Sequence, residues 1–352
     1  MKYASEALGL FIVVPLVALG LWCFPELNQT TTRSLSSEAE GPARAGATLS
    51  CGNQVDWSSD DSRLFLRYRG GDDFETRLAL LGPTDGTLRI PVDNLGDSID
   101  AAALAPDGRH VLVGTQLGRL WWIDRLDEAE PELIIDLQGK CTLSSITLTR
   151  SGRRIALGTG DGRIYVAEVD DLLQTGFIPL TADPRQARIG QLKFSHDGER
   201  LLAARNDGGL ELWDLSTRRR LQGFTGHSDV TKGAAFLPDD RRIISAGLDD
   251  TVRIWEIESG RETWRGDFGL LDIHTLDVSR DGRTAAWGGN SNKVIVWDLE
   301  RGCRKLPIET PLSAVFHLSF SGDGTKLAVT GRGSHVHVYD TETAQEVASL
   351  RF

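Results

Sequence analysis

A turn motif recurs along most of this chain at a nearly constant spacing, and this recurrence limits the possible folds more than any other feature. In each copy an apolar residue and two further residues precede a turn residue. The turn residues are Asp60, Asp107, Ser151, Asp197, Asp239, Asp281 and Asp323, with successive steps of 47, 44, 46, 42, 42 and 42 residues. A second marker, an aromatic residue followed by an acidic one, repeats every 42 residues at Trp213, Trp255, Trp297 and Tyr339. Two markers in the same register predict seven copies of one structural unit.

The best-formed copy, residues 226–256, indicates what the unit is. It contains three strand-length runs rich in β-branched or aromatic residues, at 234–236, 243–246 and 252–255. Only short turn sequences separate these runs, so neighbouring strands must pair antiparallel. With a fourth run around residues 261–264, four strands fill about 42 residues, which is typical of one propeller blade. We therefore predict an all-β fold over residues 51–352, a seven-bladed β-propeller of four-stranded antiparallel blades.

The strings of this copy resemble those of the WD-repeat family of β-propellers. They are GH at 226–227, FLPD at 236–239, SAGLD at 245–249 and VRIW at 252–255. The repeats from residue 194 onward match the family pattern well, whereas the first three lack its Trp-Asp ending. The resemblance implies a ring that is usually closed by an N-terminal strand completing the last blade. Here residues 346–352 are predicted to supply that strand themselves. We expect closure by packing of the first blade on the seventh, helped by residues 47–52.

The polar residues of the best copy allow two interpretations. Ser, His and Asp together are the ingredients of a nucleophilic triad. The resemblance instead implies that His227, Ser245, Asp249 and Trp255 form a buried hydrogen-bond chain within one blade. Because buried polar groups need partners, we interpret these four residues as a structural tetrad. The sequence predicts no catalytic residue, no cofactor and no metal site.

Two other patterns have ordinary structural interpretations. His335 and His337 alternate on one strand and could supply half of a metal site, but no matching pair of ligands is evident. The glycine-rich residues 158–162 join two predicted strands, whereas a phosphate-binding loop requires a following helix. We interpret the first as a plain strand and the second as a turn.

The net charge argues about the kind of partner, and the cysteine spacing argues about the role of the cysteines. The net charge of −11 argues against nucleic acid, because phosphate binding needs clustered Lys and Arg. The one basic run, residues 218–220, is interpreted as a solvated turn. The chain has four cysteines without paired spacing, and we interpret Cys51, Cys141 and Cys303 as small buried residues. No small-molecule substrate is expected.

The N-terminus differs from the repeats. Residues 7–24 contain no charge and would form about 27 Å of helix, close to the thickness of a bilayer core. We predict one N-terminal transmembrane helix within residues 1–24, with a cleaved signal or a buried helix as alternatives. Residues 25–50, rich in Ser, Thr, Ala, Gly and Glu, are predicted to be a flexible linker. The expected product is a single-pass membrane protein, with the propeller outside the cytoplasm.

These features favour a non-catalytic protein–protein interaction scaffold of the WD-repeat type, tethered to a membrane. Related propellers often bind partners on the face that carries the turns after each second strand. On that face a turn position holds Asp207 and Asp249 in two blades and Ser291 and Gly333 in the next two. The residues just before it are Asn206, Leu248, Asn290 and Arg332, and we expect an exposed Leu and Arg there to bind a protein. The alternative is a propeller-based hydrolase or other metal-dependent enzyme with its site at the central channel, which requires convergent carboxylates or histidines. A minor alternative is an envelope component that binds polysaccharide or self-assembles.

Overall fold

The computed structural model describes residues 54–70, 75–82, 86–90, 95–124, 131–170, 172, 176–180 and 187–352. Within these residues the strands form seven antiparallel sheets, each built from consecutive strands. The predicted all-β, seven-bladed propeller is therefore confirmed. The predicted transmembrane segment and linker, residues 1–50, lie outside the described residues. In the part of the chain that is described, no helix has the length and apolar character needed to cross a membrane.

Each blade takes its four strands in chain order from the channel outward. Blades 1 to 3 comprise β1 (Gln54–Trp57), β2 (Leu64–Gly70), β3 (Glu75–Gly82), β4 (Gly86–Ile90), β5 (Ile99–Leu104), β6 (His110–Thr115), β7 (Arg119–Asp124), β8 (Glu132–Asp136), β9 (Leu143–Leu148), β10 (Arg154–Thr159), β11 (Ile164–Glu168) and β12 (Ile178–Pro179). Blades 4 and 5 comprise β13 (Ile189–Phe194), β14 (Arg200–Arg205), β15 (Leu210–Asp214), β16 (Arg219–Phe224), β17 (Thr231–Phe236), β18 (Arg242–Gly247), β19 (Thr251–Glu256) and β20 (Glu262–Asp267). Blades 6 and 7 comprise β21 (Ile273–Val278), β22 (Thr284–Gly289), β23 (Lys293–Asp298), β24 (Cys303–Arg304), β25 (Ile308–Glu309), β26 (Val315–Phe320), β27 (Lys326–Gly331), β28 (His335–Asp340) and β29 (Glu346–Arg351). In blade 6 both β24 and β25 pair with β23, so its outer edge is divided.

The core lies between adjacent blades rather than inside one sheet. The second strand of a blade is covered on both faces, and β22 is buried along its whole length. The outermost strands, such as β20, alternate between exposed and half-buried residues instead. Phe236 and Ile243 of blade 5 pack with Leu202 and Leu212 of blade 4 in one such inter-blade cluster. A nearly continuous apolar run therefore marks the second strand of each blade.

The innermost strand of each blade is an edge strand, and its unpaired amide groups need hydrogen-bond acceptors. An edge strand carries amide groups that its own sheet does not pair. At four interfaces between the described strands, a channel-facing side chain of one blade accepts a hydrogen bond from an inner-strand amide of the next blade. The pairs are Leu192 N to Ser145 Oγ (3.1 Å), Ala234 N to Gln191 Oε1 (2.7 Å), Leu318 N to Thr275 Oγ1 (3.2 Å), Phe320 N to Asp277 Oδ2 (2.9 Å) and Val55 N to His317 Nδ1 (3.4 Å). Between blades 5 and 6 the strands approach so closely that a Cβ on Gly233 would lie 2.8 Å from Leu276 Cβ.

The first and last blades close the ring without exchanging a strand. The outer strand of blade 7 is the predicted C-terminal segment, observed as β29. Trp57 Nε1 of blade 1 donates to Ser319 O of blade 7 at 3.0 Å. The Asp61 carboxylate accepts hydrogen bonds from the Gly322 and Asp323 amides at 2.6 and 3.2 Å. Blade 7 is therefore joined to blade 1 by the kind of contact that joins the other blades.

An apolar cluster completes this seam. Val55 and Leu66 of blade 1 pack with Ala328, Val336 and Val338 of blade 7. At the rim the rings of Tyr68 and Phe352 lie 4.6 Å apart between centroids. Residues 47–52, expected to help closure, lie outside the described residues.

Two sequence interpretations need correction. Cys303 is exposed on β24 rather than buried, because β24 is an outermost strand. Only Arg218 of the basic run lies in a turn, where its φ is +56°. Arg219 and Arg220 begin β16, so the run is part turn and part strand.

We expect Trp57→Phe to lower the free energy of unfolding by about 1 kcal/mol more than Trp121→Phe does. Both residues are half-buried, and both variants lose the same ring volume. Only Trp57 loses a hydrogen bond, since Trp121 Nε1 is buried without a partner among the described residues. Urea unfolding of both variants measures the difference, and equal losses would show that the seam hydrogen bond contributes nothing.

Candidate functional site

The four residues of the predicted tetrad lie in one hydrogen-bond chain within blade 5. Trp255 Nε1 donates to Ser245 Oγ at 2.9 Å, and Ser245 Oγ lies 2.8 Å from His227 Nε2. His227 Nδ1 lies 2.9 Å from Asp249 Oδ1. Because an ionised carboxylate only accepts, His227 carries its proton on Nδ1. Its Nε2 then accepts the hydrogen of the Ser245 hydroxyl, so each polar group has a partner.

This chain has the connectivity of a Ser–His–Asp nucleophilic triad, but it is closed to substrate. Ser245 is 0% exposed, and the side chains of His227 and Asp249 are 0% and 4% exposed. The Ser245 hydroxyl also accepts the Trp255 hydrogen bond, so its oxygen is already engaged. The geometry therefore supports a structural role for the chain.

The electrostatics of the chain follow from burial and hydrogen bonding. Burial lowers the pKa of His227, which keeps the imidazole neutral near neutral pH, although Asp249 acts in the opposite direction. Burial alone would raise the pKa of Asp249. The hydrogen bonds from His227 and Thr251 outweigh it and bring that pKa to about 2.

Sequence reasoning missed a buried ion pair that extends the chain to the surface. Arg253 is 4% exposed and contacts Asp249 Oδ2 at 3.1 Å and Glu262 Oε2 at 2.8 Å. In blade 4 the charges of the two equivalent positions are exchanged. Glu211 takes the place of Arg253 and Arg220 that of Glu262, and Arg220 lies 3.0 Å from Glu211. In the sequence, this ion pair was indicated by complementary charges nine residues apart that recur 42 residues later.

Blade 7 has a polar pair at the same place. His337, which the sequence analysis assigned to a plain strand, lies 2.9 Å from Glu346 Oε1, nine residues later. Its ring stacks on that of His335 with centroids 6.1 Å apart. Among the described residues, no three His, Cys, Asp or Glu side chains are grouped so that they could hold a metal ion.

Blade 4, which has no serine at the position of Ser245, shows the role of that hydroxyl in blade 5. In blade 4 Ala203 replaces Ser245, and Trp213 Nε1 is buried without a partner among the described residues. Asp207 pairs there with Arg205 at 2.9 Å instead of with a His. Among blades 4 to 7, only blade 5 thus has the complete polar chain. The other three blades have apolar residues at the position of Ser245.

The axial channel brings together polar residues that the sequence analysis did not group. It has a volume of about 570 Å³ and is lined by the innermost strands of all seven blades. Its charged lining residues are Asp56, Arg67, Asp100, Arg150, Lys193, Lys232 and Asp277, and His274 and His317 also line it. Their position in the repeat could have identified three of these residues in the sequence. Asp56, Lys193 and Asp277 each lie four residues before a turn residue.

The channel wall changes how these groups titrate. Burial raises the pKa of Asp277, so its carboxylate is more easily neutralised than an exposed one. Burial lowers the pKa of His317, and Lys193 reinforces this while Asp56 opposes it. His317 Nδ1 accepts the Val55 amide hydrogen, which leaves its Nε2 proton for the lumen.

The four predicted partner-binding residues lie at equivalent places on one face, here called the upper face. Each directly follows a second strand, and its amide donates to a carbonyl in the loop that enters the inner strand of the same blade. The donors are Asn206 (3.0 Å), Leu248 (2.9 Å), Asn290 (2.9 Å) and Arg332 (3.3 Å). Asn290 and Arg332 are exposed and Asn206 is half-buried. The expectation of an exposed Leu248 is wrong, because this residue is half-buried and lines the channel mouth.

Leu271 is an upper-face residue that sequence reasoning missed. It is 65% exposed, the largest fraction among the exposed large apolar side chains of the described residues. Its φ is +55° and that of Asp272 is +67°, a conformation that costs energy in residues other than glycine. The Asp272 amide donates to Asp250 Oδ1 at 2.5 Å, and Asn290 Nδ2 donates to Asp272 Oδ2 at 2.9 Å. Two hydrogen bonds therefore fix the loop that presents Leu271.

Comparison with known proteins identifies the repeat type. Residues 218–256, which include the polar chain of blade 5, match the family model described as WD domain, G-beta repeat. Over 176 residues the chain is 26% identical to Protein groucho of Drosophila melanogaster. That match covers 49% of this chain and 24% of groucho, so the chain spans about a quarter of that relative's length. The predicted resemblance to WD repeats is confirmed for the matched segment.

We expect Ser245→Ala and His227→Ala each to lower the free energy of unfolding by about 1–3 kcal/mol, because each leaves a buried partner unsatisfied. The double variant should lose less than the sum of the two, since the second change removes a group that has already lost its partner. Chemical denaturation of the three variants tests this. Strict additivity, or unchanged stability in either single variant, would contradict the assignment of a coupled chain.

Proposed function

We propose that this protein is a non-catalytic protein–protein interaction scaffold of the WD-repeat type. Its upper face binds a protein partner, and residues 7–24 tether it to a membrane. The observation that carries the proposal is the exposed Leu271, held by hydrogen bonds in an unfavourable backbone conformation. A large apolar side chain fixed in solvent is what a binding anchor requires, since its ordering cost is met before the partner arrives.

The binding surface is defined as Leu248, Leu271, Phe316 and Arg332, and is called the docking surface. The hydrogen bond from the Asp272 amide to Asp250 joins the loop of Leu271 to the loop that contains Leu248. On the other side of Leu271, Asn290 is bonded to the loop and to His274 Nε2 at 2.9 Å.

Phe316 continues the surface into blade 7. The rings of His274 and Phe316 meet edge-to-face at 5.5 Å between centroids. The exposed Arg332 lies in the same blade. Apolar and aromatic residues with one Arg at the rim are typical of protein-binding hot spots.

Asn206 and Asn290 of the original four then have different roles. The Asn290 side chain supports the loop of Leu271 and the ring of His274, so it positions the docking surface. Asn206 is half-buried near Gly190 and lies outside the defined surface. The proposal therefore keeps Leu248 and Arg332 as contact residues and assigns Asn290 a positioning role.

The competing proposal of a hydrolase at the central channel has less support. The lumen contains Asp56, Asp277 and His317, which are the residue types that such an enzyme uses. Asp277 and His317 accept inter-blade hydrogen bonds, at 2.9 and 3.4 Å. Both side chains are therefore already used to hold the ring together.

The membrane tether rests on sequence alone. Eighteen uncharged residues at 7–24 match the hydrocarbon thickness of a bilayer, and a Ser-, Thr- and Gly-rich linker follows. We propose a single-pass arrangement with the propeller outside the cytoplasm.

Leu271→Ser should weaken capture of the partner bound by the wild-type propeller by roughly tenfold or more, because it removes an apolar anchor. The matched control is Leu221→Ser on β16, a side-wall leucine that is 52% exposed. Crosslinking on membranes identifies the partner, and titration of purified proteins gives the two affinities. If both variants bind like the wild type, or both fail equally, the docking surface is wrong.

Deleting residues 1–24 should move the protein from the membrane pellet to the soluble fraction after alkaline extraction. Full-length protein should keep its original N-terminus and stay in the pellet. Sequencing the mature N-terminus distinguishes this outcome from a cleaved signal. After cleavage, the mature protein would begin beyond residue 24. Protease treatment of sealed membranes then reports the side on which the propeller lies.

A further inference from the structure

We propose that the axial channel binds a small anion with two or more separated phosphate or carboxylate groups, on Lys232, Lys193 and Arg150. This site is separate from the docking surface and does not depend on the proposed scaffold function.

The three cations lie at successive depths of the channel. Lys232 lies on β17 at the upper end, and Lys193 lies on β13, three strand positions further along. Arg150 follows β9, a further three positions towards the lower end. At about 3.3 Å per strand residue, the backbone positions are separated by about 10 Å along the strands. All three residues line the same cavity.

None of the three cationic groups has a partner. Among the described residues, the Lys193, Lys232 and Arg150 side chains form no hydrogen bond or ion pair. Lys193 and Lys232 are nevertheless half-buried, whereas Arg150 is exposed at the lower end. Asp229 lies near Lys232 and Asp277 lies near Lys193, but neither carboxylate contacts the lysine. A half-buried cation without a direct counter-ion contact loses hydration that such neighbours compensate only in part. A bound anion would supply that compensation.

The carboxylates of the lining are already engaged. Asp100 is paired with Arg188. Asp56 accepts a hydrogen bond from Gln54 Nε2 at 2.7 Å, and Asp277 accepts one from the Phe320 amide. Arg67 is hydrogen-bonded to Gln54 Oε1 at 3.3 Å. Among the described lining residues, the charged groups without a direct contact are therefore Lys193, Lys232 and Arg150, which favours an anionic ligand over a cationic one.

Titration properties agree with this choice. Burial lowers the pKa of Lys232, and Arg188 lowers it further. Burial and the neighbouring charge of Arg280 lower the pKa of Arg150. Burial raises the pKa of Asp277, one of the two carboxylates that lie in the same layer as Lys193, although the charge of Lys193 acts in the opposite direction.

The size of the channel sets the class of ligand. About 570 Å³ is within the range of small-molecule sites and is enclosed by the seven inner strands. Three cations spread along the axis suit a linear anion with separated charges rather than a single sulfate-sized ion. The acidic whole chain opposes anions at long range, so binding must come from these local contacts.

The test uses the full-length protein and tripolyphosphate as the probe, at pH 8 and about 150 mM salt, where long-range surface attraction is screened. Calorimetry gives the affinity for the wild type, Lys193→Gln, Lys232→Gln and Asp277→Asn, with the exposed Lys293→Gln as control. Melting temperature confirms that each variant is folded.

We expect either channel lysine variant to weaken binding roughly tenfold, the loss of one charged hydrogen bond. Asp277→Asn should strengthen binding, because it removes a negative charge and keeps an acceptor for the Phe320 amide. Lys293→Gln should bind like the wild type. The proposal is overturned if the wild type does not bind the probe, if the lysine variants match the control, or if Asp277→Asn weakens binding. Binding of polyglutamate without tripolyphosphate would overturn it in favour of an acidic peptide.

Discussion

Seven inner strands face a common channel, and each leaves amide groups that its own sheet cannot pair. At four of the interfaces between described strands, a side chain from the preceding blade accepts such a hydrogen bond, as Gln191 does for Ala234 and Thr275 does for Leu318. This requirement decides what the channel-facing positions can be. They need acceptors, or a glycine where two strands approach closely. It also explains why polar and charged residues lie at the centre of an otherwise apolar structure.

Closure of the ring follows from the same requirement. His317 accepts the Val55 amide hydrogen in the way that Thr275 accepts that of Leu318, so blade 1 docks on blade 7 as one more neighbour. The Trp57 and Asp61 contacts and the apolar cluster around Val55 and Val338 add to this seam. Blades 1 and 7 therefore join without a shared strand, through contacts of the same kind as those between other neighbouring blades.

Structural and functional roles separate along the repeat. The polar chain of blade 5 satisfies its own groups and is closed to solvent, so its resemblance to a catalytic triad has no chemical consequence. The positions that differ between copies are instead open to a ligand. Leu271 is exposed on a loop held by Asp250 and Asn290, and Lys193 and Lys232 face the lumen without partners among the described residues. We infer that function lies on the upper face and along the axis, where one blade departs from the next.

The sequence by itself determined the blade count and the antiparallel order of strands, and its resemblance to WD repeats implied the grouping of the tetrad. These depend on the local spacing of turns and aromatic residues, which a chain of repeats displays directly. Only the tertiary structure decided the rest. Leu248 is half-buried at the channel mouth because neighbouring blades surround it, and Leu271 is exposed because hydrogen bonds fix its loop. Asp56, Lys193 and Asp277 come from blades 1, 4 and 6, and only ring closure brings such distant residues into one lumen. A repeat specifies each blade through nearby residues, whereas a site at the axis depends on residues that meet only when all seven blades are in place.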